Sequence, residues 1–197
     1  MATLDPGSAL LLVDVQQGFD DPSWGPRNNP RAEANIDRLL AAFRLHRRPV
    51  VHVRHDSKEP SSTLRPDRPG NAIKPSAAPR PNEPLFAKSV HSAFIGTGLE
   101  GHLREHGLTG LVIVGFTTNH CVSTTVRMAA NLGFDTTVVA DACATFDFRD
   151  ADGTTIPAET MHRVGLAELR GEFATVLTSE QVLGMLDEEA VASGFDR

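Results

Sequence analysis

The sequence predicts a three-layer α/β domain, with a mostly parallel sheet of about six strands flanked by helices, on two observations. Short apolar runs, aliphatic on both faces and bounded by Gly, Pro or polar residues, have the character of buried parallel strands. Stretches of helical apolar spacing separate them, and strand alternating with helix implies right-handed crossovers that cover both faces of the sheet.

The clearest strands are "ALLLVDV" (Ala9 to Val15), "PVVHVR" (Pro49 to Arg54), "GLVIVG" (Gly110 to Gly115), "TTVVAD" (Thr136 to Asp141) and "FATVLT" (Phe173 to Thr178). "PLFAKS" (Pro84 to Ser89) is a weaker sixth. Asn29 as N-cap and Pro30 at the first position open a helix carrying Ile36, Leu39, Leu40 and Phe43. "LEGHLREHG" sets Leu99 and Leu103 four apart and stops at Gly107, and a helix from about Val122 to Leu132 stops at Gly133. Pro157 opens a helix bearing Met161, Val164 and Leu169, and Thr178 with Gln181 forms a capping box for the last one. Between Asp56 and Glu83 lie six prolines and no apolar periodicity. A loop that long inside a compact domain is either functional or disordered, and the preferred reading is a loop folded over the site.

With 197 residues the chain is long enough for one well-cored domain, taken as 1–197, and short for two. No apolar run reaches the ~20 residues of a membrane span, and the N-terminus lacks the basic region of a signal peptide, so a cytoplasmic location is expected. Net charge is -6 with the basic residues scattered, which gives no footprint for nucleic acid. The expected partners are small molecules or further copies of the chain. Cys121 and Cys143 are expected as free thiols, Cys143 as a small buried residue.

Ligands of open parallel sheets bind outside the carboxyl ends of the strands. Asp14, Lys88 and Cys121 fall at or near such ends. Each has a plainer reading: Asp14 as a loop cap, Lys88 as a solvated charge, Cys121 as a small buried hydrophobe. Cys121, however, stands at a strand-to-helix corner, where backbone N–H groups and a nearby cation favour an anion; its thiol pKa is expected below the free value of ~8.5. The same N–H groups suit the oxyanion formed when a thiolate attacks a carbonyl.

"LLLVDVQQGF", "FAKSVHSAFIGTGLEGHL", "LVIVGFTTNHCVSTTVRMAANLGF" and "TTVVADACATF" resemble, in order, motifs of the isochorismatase-like cysteine hydrolases, from about Ser8 to Leu183. Amidohydrolase members of that family include nicotinamidases, N-carbamoylsarcosine amidases, ureidoacrylate hydrolases and streptothricin hydrolases. The resemblance implies a Rossmann-like sheet and a catalytic triad of Asp14, Lys88 and Cys121. It also implies a cis peptide between Phe116 and Thr117, an oxyanion hole from the N–H groups of Thr117 and Cys121, and a homo-oligomer, dimer or larger. No cofactor is implied.

Departures from relatives narrow the expectation. Nicotinamidases place a metal-binding Asp and His just after the second strand, where this chain has His55 and Ser57. His52, His55 and Asp56 remain metal candidates, but strand alternation sends His52 and His55 to opposite faces, so no metal is expected. True isochorismatases, which cleave a vinyl ether, lack the nucleophilic cysteine. Hydrolysis of a small amide, ureido or cyclic amide C–N bond through a thioester is therefore the leading expectation. The alternatives are a metal-assisted nicotinamidase and a non-catalytic protein that senses through its thiol or binds a small molecule. Candidate pocket residues are Gln16, Phe19, Trp24, His91, Phe94, Asn119 and Phe146, with His162 a weaker one.

Overall fold

The computed structural model describes residues 4–192; residues 1–3 and 193–197 of the expected domain lie outside the described residues. Its main sheet has six strands: β1 Ser8–Val13, β2 Val50–His55, β3 Leu85–Lys88, β4 Gly110–Phe116, β5 Asp135–Ala144 and β8 Thr175–Leu177. Their spatial order is β3-β2-β1-β4-β5-β8, and every pairing within the sheet is parallel. The weak sixth strand of the sequence is β3, an edge strand with Leu85 exposed, which explains its poor apolar signal.

Alternate residues of the central strands point to two separate cores. Leu10 and Leu12 of β1 and Val112 and Val114 of β4 pack with Ile36, Leu39, Leu40 and Phe43 of α1 (Ala32–Leu45) and with Val182 and Leu186 of α5 (Ser179–Ala192). Ala9, Leu11, Val13, Leu111 and Ile113 pack on the opposite face. There they meet Leu99 and Leu103 of α2 (Leu99–Glu105), Val126 and Ala129 of α3 (Ser123–Asn131), and Leu166 and Leu169 of α4 (Ala158–Leu169). These are the three layers that the strand and helix alternation predicts. At α5 the capping box forms reciprocally, Thr178 N–H donating to Gln181 Oε1 at 2.8 Å and Gln181 N–H to Thr178 Oγ1 at 3.3 Å.

Some local expectations are corrected. Helix α1 begins at Ala32, and Asn29 does not cap it with its side chain. The Asn29 backbone is left-handed (φ 44°), and its amide instead donates to the carbonyls of Ala140 and Cys143 on β5. In α4 the buried face carries Ala158, His162, Gly165, Leu166 and Leu169, whereas Val164 is 54% exposed. Burying Gly165 against the backbone of Asn119 rotates the face away from Val164. A short antiparallel hairpin, β6 Phe148–Arg149 with β7 Thr155–Ile156, adds to the predicted set.

The proline-rich segment is tied to the sheet rather than hanging free. Gln17 N–H donates to Ala72 O and Lys74 N–H to Val15 O, both at 2.9 Å, and Gln16 bridges Ile73 in antiparallel fashion. Gly18 and Gly70 let the two chains touch: a Cβ on Gly70 would lie 2.5 Å from Thr63 O and 2.7 Å from Gly18 Cα. No helix among the described residues is long and apolar enough to cross a membrane.

Candidate active site

Four strand ends converge at the carboxyl edge of the sheet. Asp14 follows β1 with φ 54°, a left-handed conformation that short polar side chains such as Asp tolerate better than most. His55 ends β2 and Lys88 ends β3, paired across the ladder. After β4 the peptide Phe116–Thr117 is cis, and a single π turn, Thr118–Val122, carries Cys121 into α3.

Lys88 Nζ is the hub. It donates to Asp14 Oδ2 at 2.6 Å and to Cys121 Sγ at 3.3 Å, and lies 2.9 Å from His55 Nδ1. An ammonium has three N–H bonds, so these contacts use all of them, provided His55 Nδ1 is the unprotonated nitrogen. The side chains of Asp14 and Lys88 are wholly buried, while Cys121 keeps 7% exposure on the pocket side. Asp14 Oδ1 has no other fixed partner, which leaves it open to the Cys121 thiol that Asp14 contacts.

Two acidities follow from this burial. The Cys121 thiol is pushed up by desolvation and then by the charge of Asp14, against the opposite pull of Lys88. That reverses the expected lowering: the helix end and the lysine are present, but burial outweighs them, so the resting sulfur keeps its proton. His55 is pushed down to about 4 by burial first, then by the charge of Lys88, so at neutral pH it is the unprotonated acceptor that the lysine requires.

Asp14, His55 and Cys121 present ligand atoms within 4.8 Å of one another, a geometry that suggests a metal site. The Lys88 ammonium already sits among these atoms, so a metal does not fit this donor set without displacing a buried cation. The other metal candidates are engaged elsewhere. His52 Nε2 lies 3.0 Å from Glu83 Oε2, and Asp56 accepts from Arg54 and Asn71.

Above Cys121 opens a cavity of about 390 Å³, walled by Phe19, Trp24, His55, His91, Thr117 and His120 together with Ser57, Glu59 and Ser61 to Leu64. Of the residues singled out in the sequence, Phe19, Trp24, His91, Thr117 and Cys121 line this cavity. Five of the pocket candidates lie outside this wall. Gln16 is fully buried, its amide donating to the carbonyls of His55 and Asn71 and its Oε1 accepting from His55 N–H, so it fastens the loop to the strand ends. Phe94 stacks on Phe134 in the core, and Phe146 supports Phe19 and Trp24 from behind. Asn119 accepts from Thr145 Oγ1 across to the end of β5. His162 is buried, with Nδ1 2.8 Å from Thr118 Oγ1. The serine-rich wall of residues 57–64 is the part that motif reading does not reveal, because it belongs to the aperiodic loop.

Glu83 gives the base of β3 its own ion pair. Burial raises its pKa, but Arg44, the Arg80 N–H and His52 outweigh burial and hold the carboxyl down at about 2. Its contribution to stability is therefore complete above the ordinary value of 4.5 and lost as pH falls toward about 2. His55 contributes in full above 6.5, and that contribution is lost as pH falls toward about 4, where the unfolded imidazole already holds a proton. Urea midpoints measured from about pH 8 to about pH 3 are expected to fall through both windows, and Glu83→Gln is expected to flatten the lower one. Identical pH slopes for wild type and Glu83→Gln would contradict this assignment.

The carboxyl edge of this α/β sheet thus gathers a buried acid, amine and thiol beneath one cavity. The chain belongs to the isochorismatase family: the Isochorismatase domain matches residues 8–181. It is 46% identical over 180 residues to the uncharacterized isochorismatase family protein YrdC of Bacillus subtilis, covering 91% of this chain and 96% of that one. A streptothricin hydrolase of Streptomyces noursei is 34% identical over 160 residues, covering 79% of this chain and 56% of the relative. The crystal structure of an isochorismatase-family protein from Chromobacterium violaceum superposes with TM-score 0.90 at 47% identity, covering 95% of this chain and 97% of that one.

Proposed function

We propose that the protein is a metal-independent cysteine hydrolase that cleaves the C–N bond of a small amide, ureido or cyclic amide substrate through a thioester on Cys121. The observation that carries this reading is the Lys88 ammonium bridging Asp14 and Cys121 beneath a pocket. A binding protein needs no buried acid beside its thiol.

The substrate carbonyl lies over Cys121. Asp14 takes the thiol proton as Sγ attacks the carbonyl carbon, and Lys88 steadies both the carboxylate and the forming thiolate. The N–H groups of Thr117 and Cys121 receive the oxyanion. When the C–N bond breaks, Asp14 delivers its proton to the leaving nitrogen. Water then hydrolyses the thioester, releasing the acid and restoring the thiol. A raised thiol pKa suits this order of events, because the proton stays within the site until substrate arrives. The cavity volume of about 390 Å³ lies toward the small end of ligand pockets, which supports a compact substrate. Relatives named streptothricin hydrolase and nicotinamidase support hydrolysis of this kind.

Amides, carbamoyl compounds and ureas screened for ammonia or amine release are expected to yield a substrate whose turnover survives a chelator. On that substrate Cys121→Ala is expected to lower kcat/KM by about 10³-fold or more. Wild-type turnover by Cys121→Ala would refute the mechanism.

A further inference from the structure

Among the described residues, every carboxylate but one in the segment from Asp56 to Glu83 is matched to an arginine. Asp56 accepts from Arg54, Asp67 from Arg65 and Glu83 from Arg44, each in a two-point ion pair. The exception is Glu59. Its backbone is tied down, N–H donating to Ser57 Oγ and C=O accepting from Ser62 N–H, but no ion pair or hydrogen bond engages its carboxylate. Of the four carboxylates it is also the one that lines the cavity above Cys121, and as an exposed residue it stands at the rim.

The wall supplies no cation to offset that charge. No lysine or arginine lines the cavity, and Lys58, the chain neighbour of Glu59, is not part of it. Lys88 is sealed below the sulfur with its N–H bonds directed at Asp14, His55 and Cys121. Of the three imidazoles in the wall, those of His55 and His120 are pushed down by burial, which favours the uncharged rings. Trp24 shares the wall, and its indole N–H is taken by Gly18 O and Thr63 Oγ1, so it offers a ligand ring surface rather than a donor. Phe19 packs beside it at 4.9 Å between ring centroids. A carboxylate and aromatic rings around one space attract a cation and oppose an anion.

We propose that Glu59 is a specificity residue that selects substrates whose scissile carbonyl carries a cationic arm, an ammonium or a guanidinium. The inference rests on the reading of Cys121 as the nucleophile. With the carbonyl over Sγ, the arm runs up the cavity past Trp24 toward the rim carboxylate. An acyl group that carries a carboxylate instead meets Glu59 with no cation to balance it.

The test attaches charged arms to Cys121 without any turnover. Trimethylammonioethyl, methyl and sulfonatoethyl methanethiosulfonates are cationic, neutral and anionic, and each reacts by one step. Sγ attacks the reagent sulfur, an S–S bond forms, methanesulfinate leaves with the electron pair, and the thiol proton passes to solvent. Rates are followed by mass spectrometry of Cys121 at low ionic strength and divided by those of mercaptoethanol with the same reagents. All three attack the same sulfur, so its raised pKa cancels in the ratios. The normalised cation-to-anion ratio is expected to be about fivefold above unity in wild type and near unity in Glu59→Gln, and Glu59→Lys is expected to invert it. Asp67→Asn changes the net charge equally but removes a carboxylate that lies outside the cavity, and is expected to keep the wild-type ratio. A wild-type ratio at or below unity, or one that Glu59→Gln leaves unchanged, would overturn the proposal. Equal falls in Glu59→Gln and Asp67→Asn would also overturn it by tracing the effect to overall charge, as would failure of all three reagents to reach Cys121. Because labelling requires no hydrolysis, these outcomes stand apart from the turnover of Cys121→Ala, which tests the thioester.

Discussion

Lys88→Met is expected to destabilise the fold by about 3–5 kcal/mol and to lower turnover by about 10³-fold or more. The side chain is wholly buried, and its ammonium is the charged partner of an equally buried Asp14 at 2.6 Å. Removing it leaves a carboxylate in a dry site, with the unpartnered Oδ1 joined by an unpartnered Oδ2. The cost is that of an orphaned charge rather than of a lost contact, and the distinction is testable. Adding Asp14→Asn to Lys88→Met removes the orphaned charge, and Asn tolerates the left-handed backbone at this position (φ 54°). The double variant is therefore expected to recover most of the lost stability while staying inactive, because neither the proton acceptor nor the cation remains. Urea unfolding of the four proteins in a double-mutant cycle measures the coupling directly. Simple addition of the two single losses would show that the pair is not the stabilising unit.

The same pair shows what the sequence discloses and what it withholds. Asp14, Lys88 and Cys121 are legible because the rule about strand carboxyl ends is topological: once the alternating elements are recognised, the residues closing β1, β3 and β4 must meet. His55 closes β2 by the same rule. Yet in one dimension a histidine there suggests a metal, and only the position of Lys88 Nζ at 2.9 Å makes it an acceptor for the amine. The acidity of Cys121 misleads for a related reason. Helix ends and a nearby lysine can be read from the sequence, but desolvation depends on everything packed around the sulfur. The pocket wall from Ser57 to Leu64 has no periodicity to read, since its place is set by carbonyls caught by Gln16 and Asn71 rather than by an apolar face. The hairpin β6–β7 does have a turn signal, Asp152-Gly153, but strands of two residues carry no alternation to support it.

Gly115→Ala is expected to cost at least about 4 kcal/mol, a large fraction of the stability of an ordinary domain. Gly115 sits near the end of β4 with φ 126°, a conformation that L side chains rarely adopt, directly across the ladder from Val13. A Cβ there would lie 1.9 Å from Val13 O and 2.8 Å from Val13 C, and both are backbone atoms of a central strand that cannot step aside. The register of β4 against β5 also shifts between Ile113 and Gly115, so the strand is already irregular where it turns toward Cys121. Because Val13 precedes Asp14, displacing β1 to admit the methyl group would also carry the acid away from the thiol. Gly184 supplies the contrast: it lies within α5, exposed, with nothing within 4 Å of an added Cβ. Gly184→Ala is expected to stabilise the protein by about 0.5–1 kcal/mol through helix propensity alone. Thermal melts of the two variants should therefore move in opposite directions from wild type. A folded, active Gly115→Ala protein with an unshifted midpoint would mean that the close approach of β4 to β1 is not what brings Cys121 to Asp14.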